Sequence, residues 1–274
     1  MSDEFADWIG RGVTCEDVVT ERLLAEYRAT LAPFLFESAD DCPPGLHWGL
    51  APATPGMTEL APDGSEARGI FLPPIKLPRR MWAGGAIETV SPIRPGMVVR
   101  RHSMLSDIKM RAGRSGALCL VSVIHEIAAG DTLLLRERQD LVFRQAGPSA
   151  SAAPAPAAEA SADVHWQVMT SPQLLFRFSA LTFNGHRIHY DLPYAMAVEG
   201  YAGLLVHGPL QAALLLNQAA MALGRVPRLF EYRCTAPLIA GQTISVRTSR
   251  AGDATTGRIA DRIGTVTCEA FTSR

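Results

Sequence analysis

The sequence predicts an α+β fold, with antiparallel β-structure in two halves and one long buried helix. Three observations carry this. Met97 to Met110, Ala117 to Ile127 and Thr132 to Phe143 are consecutive β-rich runs separated by Gly- and Asp-containing turns, the pattern of an antiparallel meander. Leu210 to Leu223 is dominated by Ala, Leu, Gln and Met, which makes it too long for an ordinary strand and too evenly apolar for a surface helix. Between them, Gly147 to Ala162 is nearly all Ala, Pro and Ser; it cannot bury much apolar surface and reads as a linker. The expected division is a first domain over 1–145, a linker over 146–162 and a second domain over 163–274.

Composition narrows the function classes. The 274 residues carry 26 basic and 27 acidic side chains, so no global charge points to nucleic acid. Cys15, Cys42, Cys119, Cys234 and Cys268 are scattered and form no C-x-x-C, which predicts reduced thiols and no structural zinc. No run is apolar for long enough to cross a membrane, and Met1 to Gly10 has neither an apolar core nor an Arg-rich face. The expected location is the cytoplasm.

In the first half, Thr14 with Asp17 offers an N-cap signature for a helix within 5–31, with Val18, Leu23, Leu24 and Tyr27 at helical spacing. Pro33, Pro43, Pro44, Pro52 and Pro55 then break the chain, with Trp48 and Leu50 between them. Arg79, Arg80 and Trp82 form a basic-aromatic cluster beside Gly84-Gly85. It has two readings, phosphate and adenine contacts or a solvated arginine pair beside a core tryptophan. Lys109, Arg111 and Arg114 near the first hairpin tip are read either as phosphate contacts or as an ordinary wet tip.

In the second half, residues 164–170 and 174–183 read as strands, the second leading into a polar turn that holds Asn184, Gly185, His186, Arg187 and His189. Tyr194 to Tyr201 is short and helical or irregular. Pro209 suits the first turn of the long helix, which places Gly208 at its N-terminus. Arg228 to Ala236, Thr243 to Arg250 and Arg262 to Thr272 complete a sheet. Asn217 and Gln218 interrupt the apolar helix and need partners if buried. Pro92-Ile93-x-x-Gly96-x-x-Val99 is echoed by Pro237-Leu238-x-x-Gly241-x-x-Ile244, a short internal repeat that suggests two related halves.

The turn and the helix start combine three kinds of chemistry. His189 can take or give a proton near neutral pH. Asn184 can hold a water or a carbonyl but cannot act as a base. The N–H of Gly208, at the positive end of a helix, can polarise a carbonyl as charge moves onto its oxygen, a contribution of roughly 3 kcal/mol for one such donor. Together they suit addition of water to a double bond conjugated to a thioester, or the reverse. A lone histidine in an apolar sequence is otherwise more often structural, and His186 and His207 are read that way.

The same stretch, S-A-L-T-F-N-x-H-R-I-H-Y-D followed by His207-Gly208 and a helix, resembles the hydratase motif of the MaoC-like, (R)-specific enoyl-CoA hydratase superfamily. Within it the wording is similar to the mesaconyl-C4-CoA and itaconyl-CoA hydratases and the hydroxyacyl-thioester dehydratases of type 2. The resemblance implies a double hot-dog fold, in which two sheets join and each wraps a central helix. The first half would keep its helix only in degraded form, within the Pro-rich segment, and would supply substrate contacts. It also implies His189 as the catalytic histidine, Gly208 as the oxyanion donor and Asn184 in the place of a family Asp. Asp191 would orient His189 or merely cap the next turn. Arg187, Arg233 and Arg79 are candidates for a substrate carboxylate, and Arg79, Arg80 and Trp82 for coenzyme A. Arg187 and Arg233 have the alternative of an ordinary exposed arginine.

The activity so implied is a hydro-lyase acting on an enoyl-CoA with a branched dicarboxylic acyl chain, such as mesaconyl-C4-CoA or the itaconyl-CoA/citramalyl-CoA pair. It requires no metal or redox cofactor, coenzyme A being part of the substrate, and the expected state is a homodimer. The alternatives are a 3-hydroxyacyl carrier-protein dehydratase and a non-catalytic acyl-CoA binding module. A thioesterase is disfavoured because Asn184 stands where a carboxylate would serve.

Overall fold

The computed structural model describes residues 4–113, 116–145 and 162–273. The first half runs β1 (Gly12–Val18), α1 (Glu21–Leu31), β2 (Arg79–Thr89), β3 (Val98–Gly113), β4 (Gly116–Ala129) and β5 (Thr132–Arg144). The second runs β6 (Val164–Met169), α2 (Pro172–Leu181), α3 (Leu192–Ala197), α4 (Gly208–Leu223), β7 (Leu229–Cys234), β8 (Thr243–Ala251), β9 (Ala254–Ala260) and β10 (Val266–Ser273). The expected linker lies almost wholly outside the described residues, as does Arg114.

The strands form one sheet in the order β1-β3-β4-β5-β2-β7-β10-β9-β8-β6, every pair antiparallel. Read outward from the central β2–β7 pair, the two halves are the same: β2, β5, β4, β3, β1 match β7, β10, β9, β8, β6. The sequence repeat falls on this symmetry, because Val99 lies in β3 and Ile244 in its counterpart β8. Bulky side chains cannot follow where two backbones close on each other. A Cβ on Gly84 would stand 2.4 Å from the Tyr232 carbonyl oxygen, so the glycine pair lets β2 reach β7.

Only one half holds a long helix. α4 lies against β8, β9 and β10 and is buried nearly all round, as its unbroken apolarity requires. Its polar interruptions are satisfied. Asn217 accepts from the Phe36 N–H and donates to the carbonyls of Pro44 and Ala213. Gln218 donates to the Val246 carbonyl and accepts from the Thr248 hydroxyl. Between α1 and β2 in the first half there are only two 3-10 turns, Leu46–Gly49 and Met57–Glu59, in a stretch whose prolines lack the N–H donors a helix needs.

Three expectations change. Thr14 and Asp17 do not start a helix: they lie in β1, and Thr20 caps α1 by accepting from the Leu23 N–H. The buried residues of α1, Leu24, Tyr27 and Leu31, follow that later start at helical spacing. Residues 174–183 are helix rather than strand. Ser171 accepts from the Leu174 N–H and Pro172 fills the first turn, so α2 carries both start signals of a helix. Strands β2 and β9 are also present, in stretches where glycines blur the alternation.

Candidate active site

The polar turn over 184–189 is held by the elements on either side of it. α2 ends at Leu181 with Thr182 as its C-cap, and Phe183 takes the left-handed conformation (φ 48°), uncommon for a bulky residue, which turns the chain back so that the Asn184 N–H reaches the Ser179 carbonyl. Asn184 Oδ1 accepts from the His186 N–H at 3.0 Å, closing a local turn. A loop from the first half, Ala61–Glu66, packs directly onto this turn: the Arg187 N–H donates to the Asp63 carbonyl, and a Cβ on Gly64 would sit 2.1 Å from the Gly185 carbonyl oxygen. This backbone-to-backbone approach has no sequence signal beyond the glycines themselves.

His189 is buried, and its ring is fixed at one nitrogen. Nδ1 lies 2.8 Å from the Leu205 carbonyl oxygen. A carbonyl only accepts, so Nδ1 carries the proton and Nε2 presents a lone pair. The Leu205 N–H in turn donates to the Ile188 carbonyl, so the two segments lock each other. Burial, with a contribution from the Arg80 charge, lowers the His189 pKa to about 4 against the opposing effect of the Leu205 carbonyl. At neutral pH the ring is therefore an uncharged base.

The neighbouring histidines are neutral as well. His207 stacks on His189 with ring centroids 3.6 Å apart, and its Nε2 is 2.8 Å from Ser179 Oγ. His186 meets His189 edge-on at 5.6 Å; burial and the Arg80 charge bring its pKa down to about 3, against the attraction of Asp63, 3.9 Å away.

A cavity of about 1330 Å³ joins the pieces. Its lining includes Asn184, His186, His189, Gly208, Arg80 and Trp82. Gly208 opens α4, and among the described residues no acceptor takes its N–H. Trp82 forms the wall opposite: a Cβ on Gly208 would stand 3.1 Å from the Trp82 side chain, whose Nε1 donates to the Tyr232 hydroxyl at 2.7 Å. So the site needs glycine here for space as well as for access to the N–H.

The other candidates fall elsewhere. Asp191 does not touch His189. It caps α3 by accepting from the Tyr194 N–H and takes two hydrogen bonds from Arg187, and the Leu205 carbonyl orients the histidine instead. Arg187 is committed to Asp191 and the Pro62 carbonyl and lies 3.9 Å over the Tyr194 ring, outside the cavity lining. Arg79 is buried beside Glu199 and over Tyr201. Arg233 alternates with the buried Tyr232 and is exposed, as an outward-facing strand residue must be. A second polar cluster that the sequence does not announce lines the far end of the cavity in the first half. There Ser103 and Gln139 hold His125 at 2.7 and 2.8 Å, with Arg101 beside them.

The family model of hydroxyacyl-thioester dehydratase type 2 matches residues 45–240. Over 243 residues, 86% of each chain, the sequence is 41% identical to the mesaconyl-C(4)-CoA hydratase of Chloroflexus aurantiacus. A shorter match, 31% over 91 residues (32% of this chain and 30% of the relative), links it to the mitochondrial hydroxyacyl-thioester dehydratase type 2 of Schizosaccharomyces pombe. Among solved structures, HtdX of Mycobacterium tuberculosis superposes with a TM-score of 0.69 at 16% identity, covering 95% of this chain and 98% of that one. A second M. tuberculosis protein, described as having a double hot-dog fold, superposes at 0.61 with 15% identity, covering 96% and 94%. The fold is therefore the double hot-dog, with one of its two central helices missing. The chain belongs to the hydroxyacyl-thioester dehydratase type 2 family.

Proposed function

We propose that this enzyme adds water to, or removes it from, a branched dicarboxylic enoyl-CoA of the mesaconyl-C4 type. The observation that carries the reading is the fixed tautomer of His189: Nδ1 donates to Leu205, so Nε2 enters the shared cavity as a bare base. The named activity of the Chloroflexus relative supports the substrate class.

In the hydration direction, the thioester oxygen sits at the Gly208 N–H. A water accepts a hydrogen bond from Asn184 Nδ2, since Oδ1 is already committed to the turn. His189 Nε2 takes one proton from that water while its oxygen bonds to the β-carbon. The π electrons move onto the thioester oxygen as an enolate, which the Gly208 N–H and the α4 dipole stabilise. The imidazolium then returns the proton to the α-carbon, and His189 is neutral again. Nothing is oxidised or reduced overall, so this chemistry calls for no redox cofactor.

In this reading 1–145 and 163–274 act as two domains, the first completing the pocket and the second holding the reacting groups. The enzyme works as a homodimer in the cytoplasm, a compartment that suits its five unbonded cysteines. Light scattering and cell fractionation check the two. The decisive test is loss of the conjugated-thioester absorbance with mesaconyl-C4-CoA. Replacing His189 by Ala removes the base, so kcat should fall about 1000-fold with the protein still binding the ester. Undiminished turnover in His189→Ala would sink the mechanism.

A further inference from the structure

Arg80 lines the cavity that holds His189 and Gly208, and among the described residues no acid pairs with it. Among the described residues it has no ion pair and no side-chain hydrogen bond, unlike Arg68, Arg79 and Arg187 around it. The charged groups whose fields reach it are Asp63, Glu66 and Arg68. Asp63 spends Oδ1 on the Ser65 N–H and hydroxyl, and its Oδ2 lies 3.9 Å from His186 Nε2, so it reaches Arg80 through its field and not through an ion pair. Glu66 has its pKa raised by burial, which weakens it as a counter-ion. Arg80 is half-buried in the cavity wall, where an arginine stays charged. An anionic group entering the cavity would supply the partner it lacks among the described residues.

We infer that Arg80 receives a free carboxylate bonded to the β-carbon of the acyl group, the carbon to which water adds. The inference rests on the proposed hydratase reading and deepens it. Position selects this ligand over a phosphate. Arg80 lines the same cavity as His186, His189 and Gly208, on the wall that carries Trp82. The pantetheine arm keeps coenzyme A phosphates far from that point. Sequence supports the same geometry: Arg80 is two residues before Trp82 on β2, and Trp82 packs on Gly208, where the thioester oxygen sits. A planar guanidinium also matches a carboxylate bidentately.

The pairing would serve the reaction as well as recognition. An unpaired carboxylate on the β-carbon repels the incoming oxygen as it gains negative character, and Arg80 cancels that charge. In return the substrate neutralises Arg80, which relieves its depressing effect on His189 and strengthens the base once substrate is bound.

The test compares mesaconyl-C4-CoA with 3-methylcrotonyl-CoA, which has the same branched shape with a methyl group in place of the carboxylate. The wild type should prefer the acid in kcat/KM by about 100-fold or more, and Arg80→Met should collapse that ratio, as expected when a site built for a polar group loses it. Arg80→Lys should restore part of it, and the acidic limb of the Arg80→Met profile should move to higher pH. Equal loss on both esters by folded Arg80→Met would overturn the inference, as would an unchanged preference. Calorimetry with two saturated esters, 2-methylsuccinyl-CoA (thioester at C4) and isovaleryl-CoA, keeps the test independent of turnover. If neither enoyl ester reacts but the wild type binds the acid tighter and Arg80→Met does not, the hydratase reading fails and Arg80 still reads the carboxylate.

Discussion

The imidazole of His207 lies 18° from parallel to that of His189, centroid to centroid 3.6 Å, and Ser179 anchors its far nitrogen. His207 immediately precedes Gly208, so one residue braces His189 and the start of α4 together. Replacing it with Ala opens space beside His189 and loosens the Gly208 N–H. A misplacement of about 1 Å in such a site costs on the order of 100-fold. We expect His207→Ala to lower kcat by about 10- to 100-fold with KM nearly unchanged. Steady-state kinetics check this; a change confined to KM would assign His207 to substrate binding instead.

Asn184 uses its carbonyl oxygen for the turn and keeps its NH₂ for the cavity. Asn184→Asp preserves the first contact and removes the second, while placing a carboxylate near His189. The variant should fold normally and lose about tenfold or more in kcat, with the acidic limb of its rate profile shifted upward because the new charge favours the imidazolium. A rise in rate would mean that the site had lacked a base.

Stability should fall early on acidification. Burial leaves His189 with a pKa of about 4 and His186 and His47 with values of about 3, and His125 and His207 are also held well below the usual histidine value. Below about pH 6.5 the unfolded chain binds protons that the folded one refuses. Folding free energy is therefore complete above that pH and declines as pH drops toward 4, by about 1.4 kcal/mol per pH unit for each histidine kept neutral. Thermal melts from pH 8 to 4 measure the slope, and a flat melting temperature down to pH 5 would contradict the buried-neutral assignment.

Asn217 ties the Pro-rich segment to α4 through two hydrogen bonds, with a third to Ala213 inside the helix, while fully buried. Asn217→Leu would strand the Phe36 N–H and deprive the Pro44 carbonyl of one of its donors, Tyr27 being the other. Leaving buried polar groups unpaired costs about 1–3 kcal/mol each. The expected loss is about 2–4 kcal/mol in chemical denaturation, and an unchanged midpoint would mean that the segment finds other donors.

By itself the sequence determined the class of fold, the position of the buried helix and the polar turn that precedes it. Each of these is local: Leu210 to Leu223 announces burial through its own composition, and Asn184, His189 and His207-Gly208 lie close enough in the chain for spacing to show. The start of α2 was equally local, in Ser171-Pro172, but the apolar run after it resembles a buried strand until those two residues are given their weight. Tertiary structure alone decided which groups face His189. Leu205 orients it through a main-chain carbonyl, which no side-chain pattern can reveal. Asp191, the plausible partner in sequence, spends its oxygens on Arg187 and Tyr194. The arginines were sorted the same way: all are charged in the sequence, but strand alternation turns Arg233 outward, and ion pairs occupy Arg79 and Arg187. Arg80 alone of these four lines the cavity, because β2 carries it to the same cavity as a turn more than a hundred residues further along the chain.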